Sequence, residues 1–273
     1  MIYREFKPDT LLTPYIETYW TAHGFEEREE SHRVLPDGCV DIVISLTESP
    51  HLGLNPFRPN IVGTMTTFFN GSYVKDVCLV GIRFRPAGFT TFCQVSIDEF
   101  TDKRIDLTLV ETLFDESFYA DLPEKKTMLE VIRHIDSYFV QKLKYLFLPE
   151  ARIVYAIDLI RQSNGLLPLN EVAAKSCLSV RHFERKFKTA VGISPKTFSK
   201  VVKFQHTCNY LKNHGESSLF STAIDCGYYD LAHLIKDFKT LSGSAFRLQV
   251  IKSFFYTNLM RLCFYLYKKI KII

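Results

Sequence analysis

Residues 169–192 read LNEVAAKSCLSVRHFERKFKTAVG, and residues 220–243 read FSTAIDCGYYDLAHLIKDFKTLSG. The two stretches share one plan. Each opens with a short helical pattern carrying a small residue in its middle, Ala173 in the first and Ala223 in the second. A tight turn follows, through Cys177-Leu178 in one and Gly227-Tyr228 in the other. A second, capped helical pattern then ends in Phe-Lys, with a glycine five residues after that phenylalanine (Phe187 and Gly192; Phe238 and Gly243). Helices joined in this way cross at close range, so a small side chain is needed where the first touches the second. The i,i+4 pairs Phe183–Phe187 and Leu234–Phe238 lock each second helix to its core. That leaves Arg181, Glu184, Arg185 and Lys188 outward on the first, and Leu231, Ala232, Ile235 and Lys236 outward on the second. A helix with such a face fits the major groove of duplex DNA, where arginine meets guanine bidentately and an apolar side chain meets the thymine methyl.

Working outward, the 273-residue length suggests two domains. With 47% hydrophobic and 23% charged residues the chain reads as globular rather than disordered. The net charge of +4 conceals an asymmetry: residues 1–149 carry a balance of −7, residues 150–249 one of +6, and the last 24 residues one of +5. A basic second half suggests a polyanionic partner. The seven cysteines form no C-x-x-C pair, which argues against a disulfide framework and a cysteine-rich zinc site and for a reducing compartment. No basic segment followed by an apolar run opens the chain, so a cytoplasmic location is expected.

The first 115 residues read mainly as short strands punctuated by turn chemistry at Pro36-Asp37-Gly38 and at Pro86 and Gly88. Their spacing predicts an antiparallel barrel or sandwich and excludes a doubly wound nucleotide fold. Between 124 and 147 the period changes: Met128, Val131, Ile132, Ile135, Phe139, Leu143 and Leu146 make one apolar helical face, stopped by Pro149. That face either packs on its own barrel or pairs with a second copy. Beyond 150 the segments are helical, with Asn170, Ser179 and Asp230 placed as N-caps. The expected fold is α+β: a mainly-β, barrel-like domain over 1–120, a connecting helix over 121–149, an all-α domain with two helix-turn-helix motifs over 150–247, and a basic, aromatic-rich tail over 248–273.

The runs LNEVAAKSCLSVRHFERKFKTAVGISP and AIDCGYYDLAHLIKDFK, separated by a long helix from about Pro195 to Lys212, resemble the two-motif DNA-binding domain of AraC/XylS-type transcriptional regulators. The resemblance implies two recognition helices in successive major grooves. By motif position it implies base contacts from Arg181, Glu184 and Arg185, and from Leu231, Ala232 and Lys236. Leu231 departs from the pattern, which often has a polar reader such as Gln there. The usual Ser-Pro-x-x-Phe-Arg ending is compressed to Ser244-Ala245-Phe246-Arg247. Lys188, Lys200, Lys203, Lys239 and Arg247 flank the motifs as candidate phosphate contacts, which would position without reading sequence. Ala173, Phe183, Phe187 and Gly192, with Ala223, Gly227, Phe238 and Gly243, form the motif cores. His182 and His233 occupy matching places, and packing against a neighbouring helix is favoured over a phosphate role.

The stretches PYIETYW (14–20), LPDGCVDIVISL (35–46), IVG (61–63) and GIRFRPAGFTTF (81–92) resemble an uncharacterised N-terminal domain found in a subset of these regulators. That similarity names no ligand. Asp37, Asp41, Arg83 and Arg85 are the polar residues a barrel mouth would use. The plainer reading makes Asp37 a turn residue and Asp41 the start of a strand, with both arginines paired to surface acids. Cys39 reads as a small buried hydrophobe. In the tail, the apolar run Ser253–Tyr267 is 15 residues long and broken by Arg261, short of the ~20 a membrane span needs. Docking onto the DNA-binding domain is favoured over a membrane partner.

The expected function is a sequence-specific transcriptional regulator modulated through its N-terminal domain, rather than an enzyme. No H-E-x-x-H, G-x-S-x-G, P-loop or G-x-G-x-x-G occurs. Double-stranded DNA is the expected partner, with the transcription machinery, an unidentified small-molecule effector and a second copy of the chain as further ones; no metal or cofactor is expected. Two alternatives stay open: a small-molecule-binding barrel enzyme, or a non-sensing interaction module, fused to a DNA-binding domain.

Overall fold

The computed structural model describes residues 2–24, 30–49, 52–73, 77–107, 113–214 and 218–243. Its first part consists of β1 (Ile2–Phe6), β2 (Ile16–His23), β3 (Glu30–Val34), β4 (Val40–Ser45), β5 (Pro59–Val62), β6 (Phe69–Tyr73), β7 (Cys78–Phe84) and β8 (Arg104–Asp106). Six strands form one antiparallel sheet in the order β1-β2-β7-β4-β5-β8, and β3 pairs with β6 in a separate ribbon. The mainly-β first domain and all-α second domain are as the sequence predicts.

Alternation decides which residues face where, because successive side chains of a strand point to opposite faces. Val40, Ile42 and Ile44 of β4 join Val80, Ile82 and Phe84 of β7 in the main core. Val43 and Leu79 fall on the other face with Tyr3, Trp20 and Ala22. Trp20 lies opposite Gly81 in register, and a Cβ on that glycine would sit 1.9 Å from the indole. The missing side chain is what lets the ring lie flat on the sheet.

The main face is covered by α1 (Glu116–Asp121) and α2 (Met128–Lys142). Thr127 and Glu130 form a capping box that fixes the start of α2, so the helix is shorter than the 124–147 periodicity suggests. Its stripe of Val131, Ile132, Ile135, Tyr138 and Phe139 belongs to the sheet's own core. The Phe139 ring meets Phe84 and Phe92 edge to face at 5.6 and 5.1 Å. Of the two readings of this stripe, packing on its own sheet is the one observed. Periodicity reports that a face is buried and is silent about what covers it.

The helical half comprises α3 (Ala151–Gln162), α4 (Leu169–Lys175), α5 (Val180–Val191), α6 (Pro195–Asn213), α7 (Leu219–Asp225) and α8 (Leu231–Ser242). Ser194 caps α6 and Pro195 stands in its first turn, where a missing N–H costs nothing. Phe198 and Val202 of α6 join the core around α3, α4 and α5, whereas Val201, Phe204, Cys208 and Leu211 join that of α7 and α8. One helix therefore carries both motifs. The β-domain rests on it: Ala87 enters the first of these cores and Leu35 the second, and Gln205 Nε2 donates to the Pro36 carbonyl at 3.3 Å. Arg247 and the 248–273 tail lie outside the described residues.

Candidate nucleic-acid interface

The two motifs are built alike. Ser179 caps α5 by accepting from the His182 amide at 3.4 Å, and Asp230 caps α8 by accepting from the His233 amide at 2.7 Å. At the other end Gly192 (φ 94) and Gly243 (φ 71) adopt the left-handed conformation and return their amides to Lys188 and Lys239. The tight turns match as well, since Cys177 and Gly227 occupy equivalent places with φ 54 and 72. Ala173 and Ala223 are buried where the helices touch, and Phe183, Phe187, Leu234 and Phe238 are buried beneath them. One expected cap differs: α4 starts at Leu169 with Pro168 at its N-cap, so Asn170 lies inside the helix.

Arg181, Glu184, Arg185 and Lys188 are exposed along α5, and Ala232, Lys236 and Lys239 along α8. Leu231 and Ile235, expected outward, are half-buried. Leu231, the first residue of α8, packs on the second motif's core. The four phosphate candidates among the described residues separate. Lys188 is exposed and lies 3.6 Å from Asp98, and Lys239 is exposed. Lys200, by contrast, pairs at 2.9 Å with Asp237, which is buried. The Lys203 ammonium stands 4.1 Å over the Tyr228 ring, and burial lowers its pKa. Both lysines thus reach from α6 to the second motif, contacts invisible in sequence because Asp237 and Tyr228 lie 25 or more residues further along the chain. His182 is half-buried, as the packing reading requires; His233 is exposed, 3.6 Å from Asp237 and edge-on to Tyr228.

Sequence reasoning passed over three exposed apolar residues of the second motif: Phe220 (63%), Ile224 (53%) and Tyr229 (90%). A position-by-position comparison would have found the first two, since α4 has Asn170 and Ala174 at the matching places.

The polar set of the β-domain is internally satisfied. Asp41 and Arg83 face each other in register. The Arg83 guanidinium reaches Asp41 and Asp37, both at 3.2 Å, and Trp20 Nε1 donates to Asp41 at 3.2 Å. Burial pushes the Asp41 pKa up and the Arg83 charge pulls against it. Asp37 makes its turn by accepting from the Cys39 amide at 2.9 Å. Arg85 donates to the Thr13 carbonyl at 2.7 Å. The surface-acid reading is thus corrected: Arg83 pairs inside the protein, and Arg85 bonds backbone. Cys39 is buried and its thiol pKa is raised, first by burial and then by Asp37 and Glu17.

Where residues 90–96, the 147–150 linker and α5 meet there is a cleft of about 640 Å³, lined in part by Val95, Phe147, Ile153, Arg185 and Lys186. Glu150 closes one side through ion pairs to Lys186 and, at 2.8 Å, to Arg152. No group of three His, Cys, Asp or Glu side chains among the described residues could hold a metal ion. Among the same residues no helix is long and apolar enough to cross a membrane.

Residues 172–247 match the family model described as a helix-turn-helix domain. A chain with two such motifs, each exposing a basic second helix, is a DNA-binding transcription regulator with a helix-turn-helix domain. In this one that domain follows a segment, residues 4–106, that matches a domain of unknown function (DUF6597). No curated protein matches the chain. Among solved structures it is similar to ToxT from Vibrio cholerae, at 10% identity over 91% of this chain and 96% of that one with a TM-score of 0.39. It is also similar to ToxT bound to (E)-4-(8-methylnaphthalen-1-yl)but-3-enoic acid, at 9% identity over 92% and 97% with a TM-score of 0.40. A third, unsaturated fatty acid-bound ToxT, is 8% identical over 89% and 92% with a TM-score of 0.37. Likeness at that level carries no argument about what this chain binds. The helix-turn-helix match points to transcription regulation.

Proposed function

We propose that this regulator recognises a specific DNA sequence by placing α5 and α8 in successive major grooves on one face of a duplex. Arg181, Glu184 and Arg185 read base edges in one groove; Leu231, Ala232 and Lys236 read the next, with the half-buried Leu231 suited to a thymine methyl. Lys188, Lys239 and Arg247 neutralise phosphates. The observation that carries this reading is the repeated motif: α5 and α8 are capped alike, follow equivalent turns and expose matching positions at Arg181 and Ala232, Arg185 and Lys236, and Lys188 and Lys239. Two equivalent readers on one scaffold match the repeat of the groove, about 34 Å per turn.

The division of labour follows the domains. Residues 1–120 receive a signal or a partner, 121–149 connect, and 150–247 bind DNA. The cleft beside Arg185 is a place where a small effector would touch both halves at once. A signal there changes DNA affinity only by its differential binding to the two states. A second copy of the chain, the transcription machinery and a cytoplasmic setting complete the reading.

The test is binding of the full chain to DNA upstream of its own gene and to random duplex across a salt series. A large specific-to-random ratio with a steep salt slope supports the reading. Absence of binding to either duplex at low salt contradicts it.

A further inference from the structure

We propose that the segment Thr64–Phe68, together with Arg33 and Thr101, is a bracket that sets the separation and orientation of the two recognition helices. The proposal rests on the DNA-binding reading above and names positioning residues for that interface. A helix leaves its last four carbonyls without intrahelical partners, and here the β-domain supplies partners for both helices at the same place. At the end of α5, Thr64 Oγ1 donates to the Val191 carbonyl at 2.5 Å, and Thr101 Oγ1 donates to Gly192 at 2.6 Å. At the end of α8, Thr67 Oγ1 donates to the Thr240 carbonyl at 2.7 Å, and the Arg33 guanidinium donates to Ser242 at 2.7 Å. A cation there also meets the negative end of the helix dipole.

The two capping glycines are in contact with the same segment. A Cβ on Gly192 would stand 3.1 Å from Thr64 Oγ1, and one on Gly243 would stand 2.3 Å from the Phe68 ring. Arg33 lies over that ring at 4.7 Å. Thr64 and Thr67 are three residues apart, so their Cα atoms are separated by at most ~11 Å. One short strap therefore fixes the ends of both readers. The strap is itself held: the Thr66 amide and hydroxyl both donate to the Asp102 carboxylate, at 2.7 and 2.6 Å. The Asp102 amide returns a bond to the Thr64 carbonyl at 3.2 Å. A displacement of the strap or of the Thr101–Asp102 loop therefore moves both helix ends together, which is the route by which the β-domain alters a two-groove reader.

Asp102→Gly tests this, because Asp102 bonds the strap but neither recognition helix, and glycine accepts its φ of 56. In the full chain without DNA, amide exchange in the last turns of α5 and α8 is expected to rise together by roughly three- to tenfold, with α2 and α3 unchanged. A rise at one helix only, no rise, or a rise throughout the molecule would overturn the bracket. On the duplex that the wild-type chain selects from a randomised pool, Asp102→Gly and Thr67→Val are expected to bind roughly tenfold more weakly. Both variants should also tolerate one- or two-base-pair changes between half-sites that the wild type rejects. Unchanged or tighter binding with the same spacing preference would equally overturn it. A wild-type chain that selects no duplex contradicts the DNA reading, and the exchange result then judges the bracket by itself.

Discussion

Arg83 sits between Asp41 and Asp37, and Trp20 Nε1 donates to Asp41, so truncating Arg83 would leave the Asp41 carboxylate on β4 without its charge partner. Removing one partner of a buried pair costs about 3–5 kcal/mol, so Arg83→Leu should lower unfolding stability by that amount in urea titration. Arg85→Leu loses one exposed bond to a carbonyl and should cost about 1 kcal/mol. Equal costs for the two variants would contradict the assignment. The readers divide in the same manner. Arg185→Ala should cost about 1–3 kcal/mol on the selected duplex and relax base preference at one position, whereas Lys239→Ala should weaken all duplexes alike and lower the salt slope by about one. Binding titrations on the selected site and its single-base variants separate the two patterns. The side-chain types were legible in sequence; the partners of Lys200, Lys203 and Arg83 were not, because each lies 25 or more residues away along the chain.

Helix ends were the most legible elements, since a cap is a local event. Ser179 and Asp230 cap as their spacing predicts, and Ser179→Ala or Asp230→Ala should each cost about 1 kcal/mol. The start of α4 escaped because Pro168, which offers no side-chain cap, stands at the N-cap two residues before the expected Asn170. Asp115, at the head of α1, adds a pH signature. Burial works to raise its pKa, but hydrogen bonds from Ser117, Tyr138, Lys142 and the Phe118 amide outweigh it and hold the value at about 2. The folded value lies below the ordinary ~3.9, so the stabilisation is complete above about pH 4 and is lost as the pH falls toward 2. Wild type should exceed Asp115→Asn in urea stability at pH 6, and the gap should close by about pH 2. A gap independent of pH would contradict this account of the cap.

What joins the halves was the least legible feature. The repeat at 169–192 and 220–243 announced two motifs, but contacts such as Thr64 on Val191 or Arg33 on Ser242 span more than a hundred residues and leave no local pattern. The same holds for α2, whose stripe could be seen in sequence while its cover could not. With Ile135 fully buried in the sheet's own core, Ile135→Glu should unfold the β-domain rather than release a folded monomer from a dimer. Circular dichroism with sedimentation decides that: a well-folded monomer would contradict it. The central claim is that one chain reads two successive grooves, and hydroxyl-radical footprinting of the full chain on its selected duplex tests it most directly. The account predicts two protected patches on one face, centred about 10–10.5 base pairs apart, with the patch under α5 lost in Arg181→Ala/Arg185→Ala. A single patch, or two on opposite faces, would contradict it.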